Sequence, residues 1–166
     1  INDISGGNFD ERMFETVAEL KVPYILMHMH GTPENMQQSP ISANIIELIR
    51  QYFKEKVAQL NHMGVENILL EPGFGFGKTL RCNYTILKQI EELRINDLPI
   101  LGGISRKSMI NKVINTTPSE ALNGTTVLHT IALQNGANIL RVHDVKEARE
   151  AIEIVRFSEE LGDCGE

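Results

Sequence analysis

The sequence predicts an α/β protein built on a parallel sheet, of the (β/α)8 barrel type, with about five of the eight βα units present. Two observations carry this. Short, nearly continuous apolar runs alternate with amphipathic stretches along the 166 residues, as expected for strands buried on both faces and joined by helical crossovers. The unusual residues also fall just after each run: Asn2-Asp3, His28 to His30, Glu71 to Lys78, Ser105-Arg106-Lys107, Arg141 and His143. Several strands contributing to one C-terminal face is barrel behaviour, whereas a doubly wound sheet gathers its chemistry at one switch point.

In chain order, Ile1–Ile4 reads as the first strand and Val22–Met29 as the second. A helix follows, in which Ile45, Ile46, Leu48, Ile49, Tyr52, Phe53, Val57 and Leu60 recur at spacings of three and four, with Gly64 as its stop. Asn67–Leu70 is the third strand, and Tyr84–Arg94 a helix carrying Ile86, Leu87, Ile90 and Leu93. Leu98–Gly102 is the fourth strand, with a helix starting at the Ser105-Arg106-Lys107 segment. Pro118-Ser119-Glu120 opens another helix that runs to Gly136. Ala137–Val142 is the fifth strand, and Asp144 is placed to cap a last helix through Val155. Residues 1–166 form one domain. A start inside a strand, without Met, is expected of a piece whose first three βα units lie elsewhere, leaving two unpaired strand edges.

Composition narrows the function. Sixteen basic against 22 acidic residues give a formal charge of −6, which argues against a nucleic-acid partner relying on a basic footprint. No apolar run approaches a membrane span of about 20 residues. The two cysteines, Cys82 and Cys164, form neither a disulfide framework nor a zinc set, as suits a cytoplasmic protein. His28 and His30 share a strand face, but zinc would want a third protein ligand and none is evident. No metal-ligating residue is therefore assigned.

Three segments carry chemistry. Glu71-Pro72-Gly73-Phe74-Gly75-Phe76-Gly77-Lys78-Thr79 ends like a phosphate-binding P-loop, but its first required Gly is Pro72. The dinucleotide fingerprint fails on spacing as well. What remains is either a plain Gly-rich turn or a carboxylate at a strand end that accepts paired N–H donors from a flat heterocycle, beside a ring that can stack on it. Gly102-Gly103 lets a ligand approach the backbone, and Ser105, Arg106, Lys107 and Ser108 follow at a helix start that favours anions. Arg141 and His143 alternate onto one side of the fifth strand, as either a two-pronged anion site or a structural salt bridge, with the anion site favoured.

These segments, with Ile1-Asn2-Asp3 and Leu26-Met27-His28-Met29, resemble the dihydropteroate synthase family of pterin-binding barrels in order and spacing, from Ile1 to about Val155. The resemblance implies condensation of 6-hydroxymethyl-7,8-dihydropterin pyrophosphate with 4-aminobenzoate to 7,8-dihydropteroate and pyrophosphate, competed by sulfonamides. Carried over residue by residue, it implies that Asn2, Met27, Glu71, Phe76, Gly103 and Lys107 bind the pterin. Arg141 and His143 hold the leaving pyrophosphate, and Ser105, Arg106 and Ser108 lie on the aminobenzoate side. Lys107, Arg141 and His143 are the catalytic set. The family further implies Mg2+, with its protein ligand in the upstream units, and a homodimer. Two departures stand out. The family has Asp where this chain has Glu71, whose extra methylene moves the carboxylate out by about 1.3–1.5 Å. The upstream loops are also absent, so the chain alone is expected to be weak or inactive. A non-catalytic binding or assembly module made from a truncated barrel is the alternative.

Overall fold

Five parallel strands line up side by side in the order in which the chain makes them. The computed structural model describes residues 1–160; Cys164 lies outside them. β1 (Asn2–Asp3), β2 (Tyr24–Met27) and β3 (Ile68–Glu71) form one ladder, and β4 (Leu101–Gly102) and β5 (Ile139–Leu140) a second. A parallel bridge between Leu70 and Ile100 joins the two, with the Leu70 N–H donating to the Pro99 carbonyl at 2.9 Å. Every crossover therefore leads to the next strand, with no reversal of order, which is the connectivity of a (β/α) barrel wall. Within the described residues β1 and β5 each have a neighbour on one side only.

The helices are α1 (Met13–Leu20), α2 (Ile45–His62), α3 (Leu80–Lys88), α4 (Ser108–Ile114), α5 (Leu122–Gln134) and α6 (Val145–Glu160). Of the eight apolar positions in α2, Ile45, Ile49, Phe53, Val57 and Leu60 are buried, each worth about 1.5–3 kcal/mol of apolar burial, while Ile46 and Tyr52 are half-buried and Leu48 is exposed on the far side of the helix. The buried five pack on the outward side of the sheet with Tyr24, Leu26, Ile68, Leu70 and Ile100. Gly64 follows α2 at φ +81° with nothing near its missing Cβ. Its job is the backbone turn, as expected.

Several elements depart from the sequence reading. Four of the five strands are shorter than their apolar runs, because the ends peel off the ladder into loops; β3 keeps the expected length but sits one residue later. α1 was not legible, whereas the two helices of the fourth crossover, α4 and α5, were expected. The expected helix over 84–94 starts earlier, at Leu80, because Thr79 caps it, its Oγ1 accepting from the Cys82 N–H at 3.3 Å. It stops at Lys88 and gives way to a 3-10 turn over Ile90–Leu93. Pro118–Glu120 is likewise a 3-10 turn rather than the first turn of α5. Asp144 opens α6 through its carbonyl, which accepts from the Ala148 N–H at 3.1 Å. Its carboxylate, expected to cap, is taken by Arg106.

Candidate functional site

Strand parity decides which side chains can meet. Asn2 pairs with Ile25 and Met27 with Glu71; the Leu70–Ile100 bridge and the Leu101–Ile139 pair carry the alternation onward. Side chains two apart on a strand share a face. Asn2, Met27, Glu71, Gly103 and Arg141 therefore all project on the face opposite the helix-packed core, at the C-terminal ends of five successive strands. Five of the residues singled out from sequence are brought together by register alone. The exposure within the group is graded: Asn2 is exposed, Met27 and Glu71 are fully buried, and the Arg141 side chain is 40% exposed.

The centre of the group is an ion pair. Arg141 Nη2 donates to Glu71 Oε1 across the width of β4. The contact passes over Gly103, where a Cβ would lie 2.9 Å from both atoms. Glycine is required there because the two side chains occupy the space a methyl group would fill. The second carboxylate oxygen, Glu71 Oε2, is buried with no hydrogen-bond partner. A buried acceptor without a donor is costly.

The Gly-rich loop forms one wall. Gly73, Gly75 and Gly77 all have positive φ, and a Cβ on Gly73 or Gly77 would strike the carbonyl oxygens of His28 or His30 at 2.1 and 2.4 Å. The loop is thus pressed against the end of β2. Lys78 holds it there: buried, its Nζ donates to the carbonyls of His28 (3.2 Å), Gly73 (2.8 Å) and Phe76 (2.9 Å). Asn83 helps, its Oδ1 accepting from the Gly75 N–H at 2.6 Å while its Nδ2 donates to the carbonyls of Lys78 and Thr79. Burial, then the nearby Lys107 charge, lowers the Lys78 ammonium to about 7. Burial also lowers His28 to about 3, with Lys78 and His30 adding to the effect, so His28 is a neutral core imidazole packed edge-on against Tyr52.

Lys107 reaches back from the β4–α4 connection. Its Nζ donates to the Phe74 carbonyl and stands 4.9 Å from the centre of the Phe76 ring. Burial lowers it to about 8, the Glu71 charge opposing this and the Arg141 charge assisting. A cation near neutrality, over an aromatic face and beside a carboxylate, can both bind an anionic group and hold a proton near a reacting centre.

Two sequence expectations are corrected. Ser105, Arg106 and Lys107 do not begin a helix: Arg106 has φ +56° and α4 starts at Ser108. Arg106 is not open to an anion. Its Nε and Nη2 grip the Asp144 carboxylate at 2.9 and 2.8 Å, and its Nη1 donates to the carbonyls of Pro118 and Ser119. This guanidinium ties the β4 loop to the β5 loop, and Arg106 holds Asp144 below the ordinary carboxylate range. Arg141 and His143 lie beyond the end of β5, yet Arg141 keeps the ladder, its N–H donating to the Gly102 carbonyl at 3.1 Å. His143 turns to Ser105, with Nδ1 and Oγ 2.9 Å apart, so Ser105 orients the imidazole. Ser108 is exposed beside Gln37, Gly75, Lys78, Asn83, Met109 and Lys112, around a cavity of about 290 Å³. Sequence reasoning missed Lys78 and Asn83 as loop organisers; the one signal was a lysine directly behind the glycine run.

The sequence profile described as "Pterin binding enzyme" matches residues 1–143. The chain belongs to that family. The dihydropteroate synthase of Escherichia coli (strain K12) is 43% identical over 157 residues, covering 93% of this chain and 55% of the relative. The crystal structure of Yersinia pestis dihydropteroate synthase with a sulfonamide drug complex superimposes with a TM-score of 0.92 at 39% identity, over 97% of this chain and 59% of that one. The Xanthomonas albilineans dihydropteroate synthase in complex with 7,8-dihydropteroate gives a TM-score of 0.88 at 28% identity, over 98% and 60%. The chain spans just over half the length of the curated relatives it matches. Among the described residues no three His, Cys, Asp or Glu side chains gather as a metal site, and no helix is long and apolar enough to cross a membrane.

Proposed function

We propose that this chain carries the pterin- and pyrophosphate-gripping part of a dihydropteroate synthase, a transferase of folate biosynthesis that condenses 6-hydroxymethyl-7,8-dihydropterin pyrophosphate with 4-aminobenzoate. The observation that carries the reading is the shared face of Asn2, Met27, Glu71, Gly103 and Arg141, with Lys107 and the Phe76 ring beside it. The pterin lies over Gly103 against Met27 and Phe76, giving N–H donors to the Glu71 carboxylate. The methylene–oxygen bond breaks with its electron pair leaving on the pyrophosphate. Arg141 and the Ser105-oriented His143 receive that growing charge. The aminobenzoate nitrogen forms the new C–N bond and gives up one proton. Aminobenzoate and competing sulfonamides approach from the side of Ser105 and Ser108, while Arg106 acts there only through its tie to Asp144.

By the family resemblance, a Mg2+ ion would take its protein ligand from the upstream βα units, and no step is routed through the ion. Closure of an eight-stranded barrel is assigned to partners of the open edges of β1 and β5, and a homodimer to the outer faces of the later helices. There Val127, Ile154 and Phe157 are 50%, 70% and 66% exposed; sedimentation at rising concentration tests that association. The chain alone is expected to be weak or inactive, and turnover by these 166 residues would overturn this. The two open edges also favour a second reading, a non-catalytic pterin- or anion-binding assembly module.

The test is calorimetric titration with the dihydropterin pyrophosphate. Micromolar binding that is lost in Arg141→Ala supports the pocket. Absence of binding in a sample that unfolds cooperatively rejects it for this chain.

A further inference from the structure

We propose that the Glu71–Arg141 ion pair is a latch that makes an oxyanion and a flat heterocycle bind this site cooperatively. The proposal rests on the pterin-binding reading above and adds to it a coupling between the two halves of the pocket.

Three observations carry it. Glu71 is fully buried and spends Oε1 on Arg141, while Oε2 has no donor. Among the described residues Arg141 makes no other side-chain hydrogen bond, and its side chain is 40% exposed, so its remaining donors are open to an anion. The pair lies directly over Gly103, 2.9 Å from where its Cβ would be, on the surface that the ring is proposed to cover.

A heterocycle with two adjacent N–H donors needs both carboxylate oxygens, and Arg141 holds one of them. An oxyanion needs the Arg141 fork, and Glu71 competes for it. Pulling Arg141 away would leave a buried carboxylate without its counter-charge, which is strongly unfavourable unless new donors arrive. Each ligand alone must therefore break the latch, whereas the two together replace both of its halves. Linkage then requires that each ligand raise the other's affinity by the same factor. The longer arm of Glu71 makes the pair possible. An Asp at this position, shorter by one methylene or about 1.5 Å, falls short of Arg141 and leaves it free.

The experiment measures inorganic pyrophosphate binding to the 166-residue chain, Glu71→Asp and Glu71→Gln by calorimetry, each first checked for cooperative unfolding. The latch predicts that both variants bind pyrophosphate at least fivefold tighter than the parent chain. Simple charge repulsion predicts tightening in Glu71→Gln alone, because Glu71→Asp keeps the charge; that outcome overturns the latch, as does equal affinity in all three proteins or no binding by any.

The second arm titrates 6-hydroxymethylpterin with and without saturating pyrophosphate. The expected result is at least fivefold tighter pterin binding with pyrophosphate in the parent chain and a ratio near one in Glu71→Asp. An unchanged parent affinity, or an equal ratio in Glu71→Asp, refutes the coupling. If neither protein binds pterin while the pyrophosphate arm behaves as predicted, the pterin-binding reading fails and takes the coupling with it, leaving only the competition of Glu71 with an anion for Arg141; pterin binding without coupling overturns the coupling alone.

Discussion

Replacing Lys78 with Met removes the only cation that pins the Gly-rich loop to β2, and the pH dependence of stability reports it. In the folded chain burial lowers this ammonium from its ordinary 10.5 to about 7. Between those values the unfolded chain binds more protons than the folded one, so stability rises with pH, at up to about 1.4 kcal/mol per pH unit. Lys78 thus contributes fully above 10.5, and its contribution is lost as pH falls toward 7. Worked between pH 8 and pH 10, a group with these two values adds roughly 2 to 3 kcal/mol of stability. Lys107, lowered to about 8, titrates in the same range and is coupled to Lys78 through their like charges, so Lys107→Met is measured in parallel to separate its share. Urea unfolding of the parent and Lys78→Met at pH 8, 9 and 10 measures the difference directly. The parent should gain roughly 2 to 3 kcal/mol over the variant across that range. Parallel curves would refute the claim that burial lowers Lys78 so far below its ordinary value.

Three further outcomes follow from the same geometry. Oxyanion binding should weaken as pH rises through about 8, where Lys107 loses its proton, and a pyrophosphate affinity unchanged from pH 7 to 9.5 would exclude Lys107 from the site. Gly103→Ala places a methyl group 2.9 Å from both Arg141 Nη2 and Glu71 Oε1, on the surface where the pterin ring is proposed to lie; that obstruction should lower dihydropterin pyrophosphate affinity about tenfold or more, an interaction loss of about 1.4 kcal/mol, with calorimetry as the check. Gly6→Ala puts a Cβ 1.7 Å from Tyr52 Oη at φ +59°, displacing the hydroxyl that donates to the Met27 carbonyl at 3.1 Å. Thermal unfolding should show a loss of about 2 kcal/mol or more, and an unchanged midpoint would mean that the β1 turn is not packed as described.

The apolar runs and the 3.6-residue stripe of α2 were sufficient to read five parallel strands and the main helices, because burial on two faces and on one helix face leaves a direct imprint on residue order. The placement of chemistry at strand ends was legible for the same reason: loops after strands need not be apolar, so Glu71, Lys107, Arg141 and His143 stand out. α1 and the short strand limits were not legible, since two- and four-residue ladders are set by which backbone groups find partners across the sheet.

Tertiary structure alone decided how the charges pair. Arg106 and Arg141 look equivalent in the sequence, each a cation beyond a strand. Arg106 meets Asp144 and two carbonyls and becomes a brace between loops, while Arg141 meets Glu71 with donors to spare. Lys78 appears as the tail of a glycine motif, yet three carbonyls make it the centre of the loop. Hydrophobic patterning is a local, repeated signal that survives in one dimension. The partner of a charge is a single long-range contact, 70 residues away for Arg141 and Glu71, and only the folded register brings the two together.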